Sequence, residues 1–185
     1  MVDLILASAS PRRLSLLQNR GYNVTVVPSD FDEDAVKCDD PSELVKELAL
    51  GKGMAVAKDH KNSTVLSADT VVVQGDKILG KPHDYDEAYE MLTSLSDSTH
   101  TVFTGVCIIK NGVPRVFCER ADVTFFPLSP VQIKKYIDSG SPFDKAGGYG
   151  IQDDAGIGFI KSLSGELSCV IGLPMGRVID ELEDR

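Results

Sequence analysis

Two long runs rich in β-branched and aromatic residues, 101–110 and 113–126, are separated only by Asn111-Gly112. Asn-Gly supplies two adjacent positions at positive φ, as a type I′ turn demands, and the twist of that turn matches the strands it joins. Any fold of this chain must therefore accommodate a long antiparallel hairpin. Thr104-Gly105 interrupts the first arm, and a glycine there predicts a bulge or a close approach of another backbone.

Around the hairpin, strand and helix signals alternate. Residues 2–7, 22–27, 65–73 and 78–79 read as strands, as do 157–163 and 167–171 near the C-terminal end. Ser10-Pro11 starts a helix that Gly21 stops. Asp40-Pro41-Ser42-Glu43 is a capping box with proline at the first helical position, and Val45, Leu48, Ala49, Ala55 and Val56 form the buried stripe that follows. Asp84 with Glu87 starts a third helix, with Tyr85, Ala88, Tyr89, Leu92 and Leu95 facing the core. Ser129 with Gln132 starts a fourth, ended by Gly140. Pro174 opens the last, with Val178, Ile179 and Leu182 inward.

The 185 residues suit a single domain spanning 1–185, and 42% apolar with 25% charged residues is ordinary for a globular chain. The net charge, 19 − 28 = −9, argues against a general nucleic-acid surface but not against a small polyphosphate met by locally gathered cations. Apolar runs are strand-sized, so no membrane span is expected. No basic region and long apolar stretch mark a signal peptide. Cys38, Cys107, Cys118 and Cys169 are far apart and away from His60, His83 and His100. They read as reduced packing residues of a cytoplasmic protein rather than zinc ligands or disulfides.

Several stretches carry chemistry. Ser8, Ser10, Arg12 and Arg13 lie where a strand runs into a helix start, and free N–H groups, the helix dipole and two guanidiniums converge there on an anion. The acidic run Asp30, Asp32, Glu33 and Asp34 is either a solvated loop or a loop for a hard divalent cation. Lys52 falls in the apolar stripe of its helix, where it either snorkels or points inward. Asp69 lies inside a β-branched run, a costly place for a carboxylate unless it is paired, hydrated or metal-bound. Gly80-Lys81-Pro82 ends the adjoining hairpin. Asp144-Lys145-Ala146-Gly147-Gly148-Tyr149-Gly150-Ile151-Gln152 reads as a ligand-facing loop and matches neither a dinucleotide fingerprint nor a Walker A motif.

Taken together and in order, these blocks resemble the Maf family of nucleoside triphosphate pyrophosphatases: residues 6–13, 67–72, Gly80-Lys81-Pro82, Thr104-Gly105-Val106, 144–152 and Gly172-Leu173-Pro174. The Gly-Tyr-Gly-Ile-Gln form of the late loop is similar to the branch acting on dTTP and UTP. The resemblance implies an α/β fold like that of inosine triphosphate pyrophosphatase, a mixed twisted sheet with flanking helices and two lobes around a cleft. It implies hydrolysis of dTTP or UTP, or of modified pyrimidine triphosphates, to the monophosphate and pyrophosphate with Mg²⁺ or Mn²⁺. Asp69 would be the proton acceptor. Arg12, Thr70 and Gln152 would bear on the choice of base, Ser8, Arg13, Lys52 and Lys81 on the phosphates, and Glu33 with Asp69 on the metal. A homodimer is also implied. The chain departs from the family pattern at 139–142, at Asp153-Asp154 and at Leu167-Ser168-Cys169. The competing expectation is a nucleotide-binding regulator of cell division with little catalysis.

Overall fold

The computed structural model describes residues 4–153, 156 and 158–183. Its strands are β1 (Leu4–Leu6), β2 (Val24–Val26), β3 (Thr64–Gln74), β4 (Lys77–Leu79), β5 (Thr99–Lys110), β6 (Val113–Phe125) and β7 (Ile160–Ser164). The helices are α1 (Pro11–Gln18), α2 (Pro41–Ala57), α3 (Tyr85–Leu95), α4 (Pro130–Asp138), α5 (Leu167–Ile171) and α6 (Met175–Glu183). Among the described residues the sheet order is β2-β1-β3-β5-β6-β7, with β4 on β3. β1 runs parallel to β2 and β3, whereas β3–β4 and β6–β7 are antiparallel. The expected mixed sheet with flanking helices is therefore present. Asn111 and Gly112, at φ 51° and 77°, make the turn between β5 and β6.

The chain divides into two compact units. The first holds Met1–Thr70, Thr104–Glu119 and Gly172–Arg185, the second Val71–Phe103 and Arg120–Ile171. In the first, strand alternation sorts the core into two layers. Leu4, Leu6, Leu66, Ala68, Val106 and Ile108 pack with Leu17 of α1 and Met175 and Val178 of α6. Their neighbours Ile5, Ala7, Val65, Cys107 and Ile109 pack with Ala49 and Val56 of α2. The second unit is built around Phe125, Tyr136, Tyr149 and Phe159, with Leu92 and Leu95 of α3.

The helix starts follow their capping chemistry. Asp40 accepts from the N–H groups of Ser42 and Glu43, both at 2.9 Å, while the Glu43 carboxylate turns to Lys46. Ser129 and Gln132 complete the reciprocal box. Ser10 is at the N-cap of α1, yet its side chain does not cap. The N–H of Ser10 instead donates to Ser8 Oγ at 3.2 Å.

Two expectations are corrected. Leu167–Ile171 is a helix, not a strand. Five residues are too few for periodicity to decide, and the Cys169 N–H donating to Glu166 O at 3.1 Å closes a helical turn. Tyr85 is 39% exposed rather than in the core, because it sits at the first position of α3, ahead of the turn that packs. The strand expected from residue 2 and the one expected from residue 157 begin outside the described residues.

Candidate active site

The period of β3 assembles the site. Val65, Ser67 and Asp69 face α2, whereas Leu66, Ala68 and Thr70 face the layer of α1. On the α2 side, Ser67 Oγ donates to Ala49 O at 2.6 Å, binding strand to helix. One helical turn on, Lys52 Nζ donates to Asp69 Oδ1 at 2.6 Å and pairs with Glu33 Oε2 at 2.9 Å. The side chains of Lys52 and Asp69 are only 12% and 13% exposed. Lys52 thus points inward rather than snorkelling, and Asp69 is the paired interior carboxylate that its apolar flanks require. Glu33 opens a single 3₁₀ turn, Glu33–Ala35, which Asp32 caps by accepting from Asp34 N–H.

On the other side of β3, the Arg13 guanidinium is held by three protein acceptors. Nε donates to Gly172 O at 2.8 Å, and the two terminal nitrogens donate to Ser8 Oγ and Thr70 Oγ1, each at 3.2 Å. Thr70 Oγ1 is in turn 2.9 Å from Thr104 Oγ1, which is fully buried. Burial holds the Arg13 pKa below its ordinary value; the carboxylates of Asp69 and Glu33 oppose that shift, and the neighbouring charge of Arg12 adds to it. Arg12, half-buried, is the residue before it on α1.

Ser8, Arg12, Arg13, Glu33, Lys52, Asp69 and Thr70 all belong to the first unit. Lys81 and Gln152 belong to the second, where both are exposed. Thr104 and Gly172, whose hydroxyl and carbonyl complete the Arg13 anchorage, were not expected at the site. A threonine inside the apolar run of β5 was the available signal for Thr104. No sequence signal marks a carbonyl.

Much of what distinguishes the glycine-rich loop is packing. Tyr149 is buried, its hydroxyl 2.8 Å from His100 Nε2. Lys145 Nζ donates to Asp144 and to the carbonyl of Ser141, both at 2.7 Å. Tyr136 OH donates to Asp153 at 2.6 Å and accepts from Gly150 N–H at 2.9 Å. Gly147 has a φ of 68°, and a Cβ there would lie 2.9 Å from Val72. Asp153, one of the departures from the family pattern, is therefore a clasp of the loop that carries Gln152.

Among the described residues, no three of His, Cys, Asp and Glu gather as a ready-made metal cage. Glu33 and Asp69 nonetheless present hard oxygen donors to one cation, the Lys52 ammonium. That fits an ion of the Mg²⁺ type, which takes one or two carboxylates and completes its shell with phosphate and water. A depression of about 360 Å³ lined by Met54, Lys58, His60, Lys61 and Ile109 contains neither carboxylate.

An interior carboxylate paired with lysine and an arginine-bearing helix start thus meet opposite faces of β3 in an α/β protein with a mixed sheet. The structure of the Staphylococcus aureus Ham1 protein matches 66% of this chain and 71% of its own with a TM-score of 0.50 at 15% identity, a likeness of fold. The chain belongs to the Maf-like protein family, which it matches over residues 3–185. Proteins named dTTP/UTP pyrophosphatase from Halalkalibacterium halodurans and Bacillus mycoides are each 44% identical to it over 183 residues, covering 99% of this chain and 96% and 95% of theirs. No helix among the described residues is long and apolar enough to cross a membrane.

Proposed function

We propose that this chain is a nucleoside triphosphate pyrophosphatase acting on dTTP and UTP. The observation that carries the reading is Asp69, an interior carboxylate held 2.6 Å from Lys52 and beside a half-buried arginine. The names of its full-length relatives supply the substrates.

Water attacks the α-phosphorus and the bond to the α–β bridging oxygen breaks, releasing the monophosphate and pyrophosphate. Lys52 donates to one oxygen of Asp69, and the other oxygen takes the proton from the attacking water. Arg13 spends three N–H groups on Ser8, Thr70 and Gly172, which fixes the plane of its fork, and the rest of the fork meets phosphate. Such fixed donors stabilise charge without reorganising during the reaction. Lys81 adds to the phosphate set. Arg12, Thr70 and Gln152 bear on the base, an amide edge such as that of Gln152 penalising a base that leaves it unpaired. Glu33 and Asp69 would hold a divalent cation, which supplies Lewis-acid polarisation of the phosphate oxygens. None of the four cysteines is in a disulfide, as suits an enzyme of the reducing cytoplasm.

Asp69→Asn is expected to retain nucleotide binding and to lower pyrophosphate release by about 10³-fold or more. Assays of pyrophosphate release across dTTP, UTP, ATP and GTP, with and without Mg²⁺, test both chemistry and selectivity. Near-normal turnover by the variant removes Asp69 as base. Equal rates on purine and pyrimidine triphosphates overturn the substrate assignment, and binding without release favours a regulator.

A further inference from the structure

Lys52 is flanked by two glycines in the interior of a 17-residue helix, each costing about 1 kcal/mol of helix propensity relative to alanine. The structure gives each a separate reason. Residues 51 and 53 lie on nearly opposite faces of α2. Gly53 meets the sheet: a Cβ there would be 2.7 Å from Ser67 Oγ and 3.2 Å from Ile109. Gly51 meets an aromatic ring, and a Cβ there would lie 2.3 Å, 2.5 Å and 2.6 Å from three atoms of Phe31. The Phe31 ring therefore sits directly on the helix backbone, where only hydrogen fits.

Phe31 precedes Glu33 by two residues in a segment with little other anchorage. Val27 N–H donates to Leu6 O at 3.0 Å, Asp40 caps α2, and between them the Glu33–Ala35 turn is the one piece of regular structure. Phe31 N–H closes a local turn on Ser29 Oγ at 3.1 Å. The Glu33 side chain is 55% exposed, yet it stays 2.9 Å from Lys52. An exposed carboxylate pair is worth little by itself, so what keeps Glu33 there is its backbone, and what fixes the backbone is the ring on Gly51.

We propose that Phe31, seated in the notch left by Gly51, is the positioning device that holds Glu33 on the Lys52–Asp69 pair. The proposal rests on the active-site reading above and adds two positioning residues to it. Phe31 and Gly51 act on the reaction through Glu33, not through substrate.

A double-mutant cycle tests this. Phe31→Ala empties the notch and Gly51→Ala fills it, the latter while raising the helix propensity of α2, so that the fold is kept. Each is expected to lower kcat/KM for dTTP about tenfold with Glu33 present, and less than about twofold in a Glu33→Gln background. Phe31→Leu, which refills the notch with an apolar group, is expected to restore most of the activity. An undiminished penalty in the Glu33→Gln background, or no penalty in the single variants, overturns the proposal. A second readout needs no turnover, namely the rate at which an amine-reactive acyl reagent labels Lys52. Phe31→Ala, Gly51→Ala and Glu33→Gln should each raise it severalfold, and the double variants no further. Additive increases overturn the proposal. If the wild-type protein released no pyrophosphate from any triphosphate, the functional reading would fall while the labelling cycle still decided the role of Phe31.

Discussion

Arg13, proposed to meet phosphate, is a structural group as well. Its fork joins α1, the turn after β1, the middle of β3 and the turn before α6, through Ser8, Thr70 and the Gly172 carbonyl. Lysine can place one ammonium near one or two of these acceptors but cannot reproduce a planar fork, so Arg→Lys is not conservative here. Arg13→Lys is expected to cost about 1–3 kcal/mol of stability from acceptors left unpaired, and at least about tenfold in kcat/KM. Chemical denaturation and steady-state kinetics measure the two separately. In the sequence the two arginines read as an anion site because cations are unfavourable in a first helical turn. The anchorage of Arg13 was not legible, since it depends on a carbonyl 159 residues away in sequence. Lys52 had equal sequence claims to snorkel or to turn inward, and only the nearness of Asp69 and Glu33 decides for the second.

Close approach at glycine governs the elements. An exposed helical Gly→Ala change stabilises by up to about 1 kcal/mol. At Gly53 the sign should reverse, because the new Cβ would meet Ser67 Oγ at 2.7 Å, and that hydroxyl is already bound to Ala49 O. Gly105→Ala should be more severe: its Cβ would lie 2.3 Å from the Val45 carbonyl oxygen, and backbone cannot rotate away as a side chain can. Expected losses are about 1–2 kcal/mol at Gly53 and about 3 kcal/mol or more at Gly105, read as shifts of the urea midpoint at constant slope. The glycine in the middle of β5 was readable in sequence as a bulge or a close approach, and close approach is what it is. The opposite lesson comes from 144–152. Glycines, lysine and tyrosine suggested a ligand-facing loop, but Tyr149 is in the core and Lys145 is committed to Ser141 and Asp144, so the same residue types are accounted for by packing.

Over the whole molecule, acid should unfold this protein partly through His100. It is 2% exposed, its ring stacks edge-on with Phe125 and Tyr149, and burial, only partly opposed by Asp122, pushes its pKa down to about 4 from an ordinary 6.5. The unfolded chain therefore binds a proton between those values that the folded chain does not. The associated stability is complete above pH 6.5 and is lost as the pH falls towards 4. The loss amounts to about 3 kcal/mol. His100→Gln should flatten the fall of stability with pH across that window, as measured by denaturant midpoints from pH 7 to 4. Asp153, whose carboxyl is held below its ordinary range mainly by the Ser141 and Tyr136 hydroxyls and by Lys145, against the effect of burial, acts in the same direction at lower pH.

What the sequence determined by itself was local: the type I′ hairpin at Asn111-Gly112, the capped starts of α2, α3 and α4, the strand β3, and the oddity of a carboxylate inside it. These depend on neighbours within one turn or one strand repeat, where propensity and period act directly. The tertiary structure alone decided which charges meet. Lys52 reaches Asp69 because Ser67 and Gly53 draw α2 onto the sheet, Glu33 reaches Lys52 because Phe31 fits over Gly51, and Arg13 is fixed by acceptors from two remote segments besides Ser8. Such meetings depend on distances of a few tenths of an ångström between elements distant in the chain, and no local pattern encodes them.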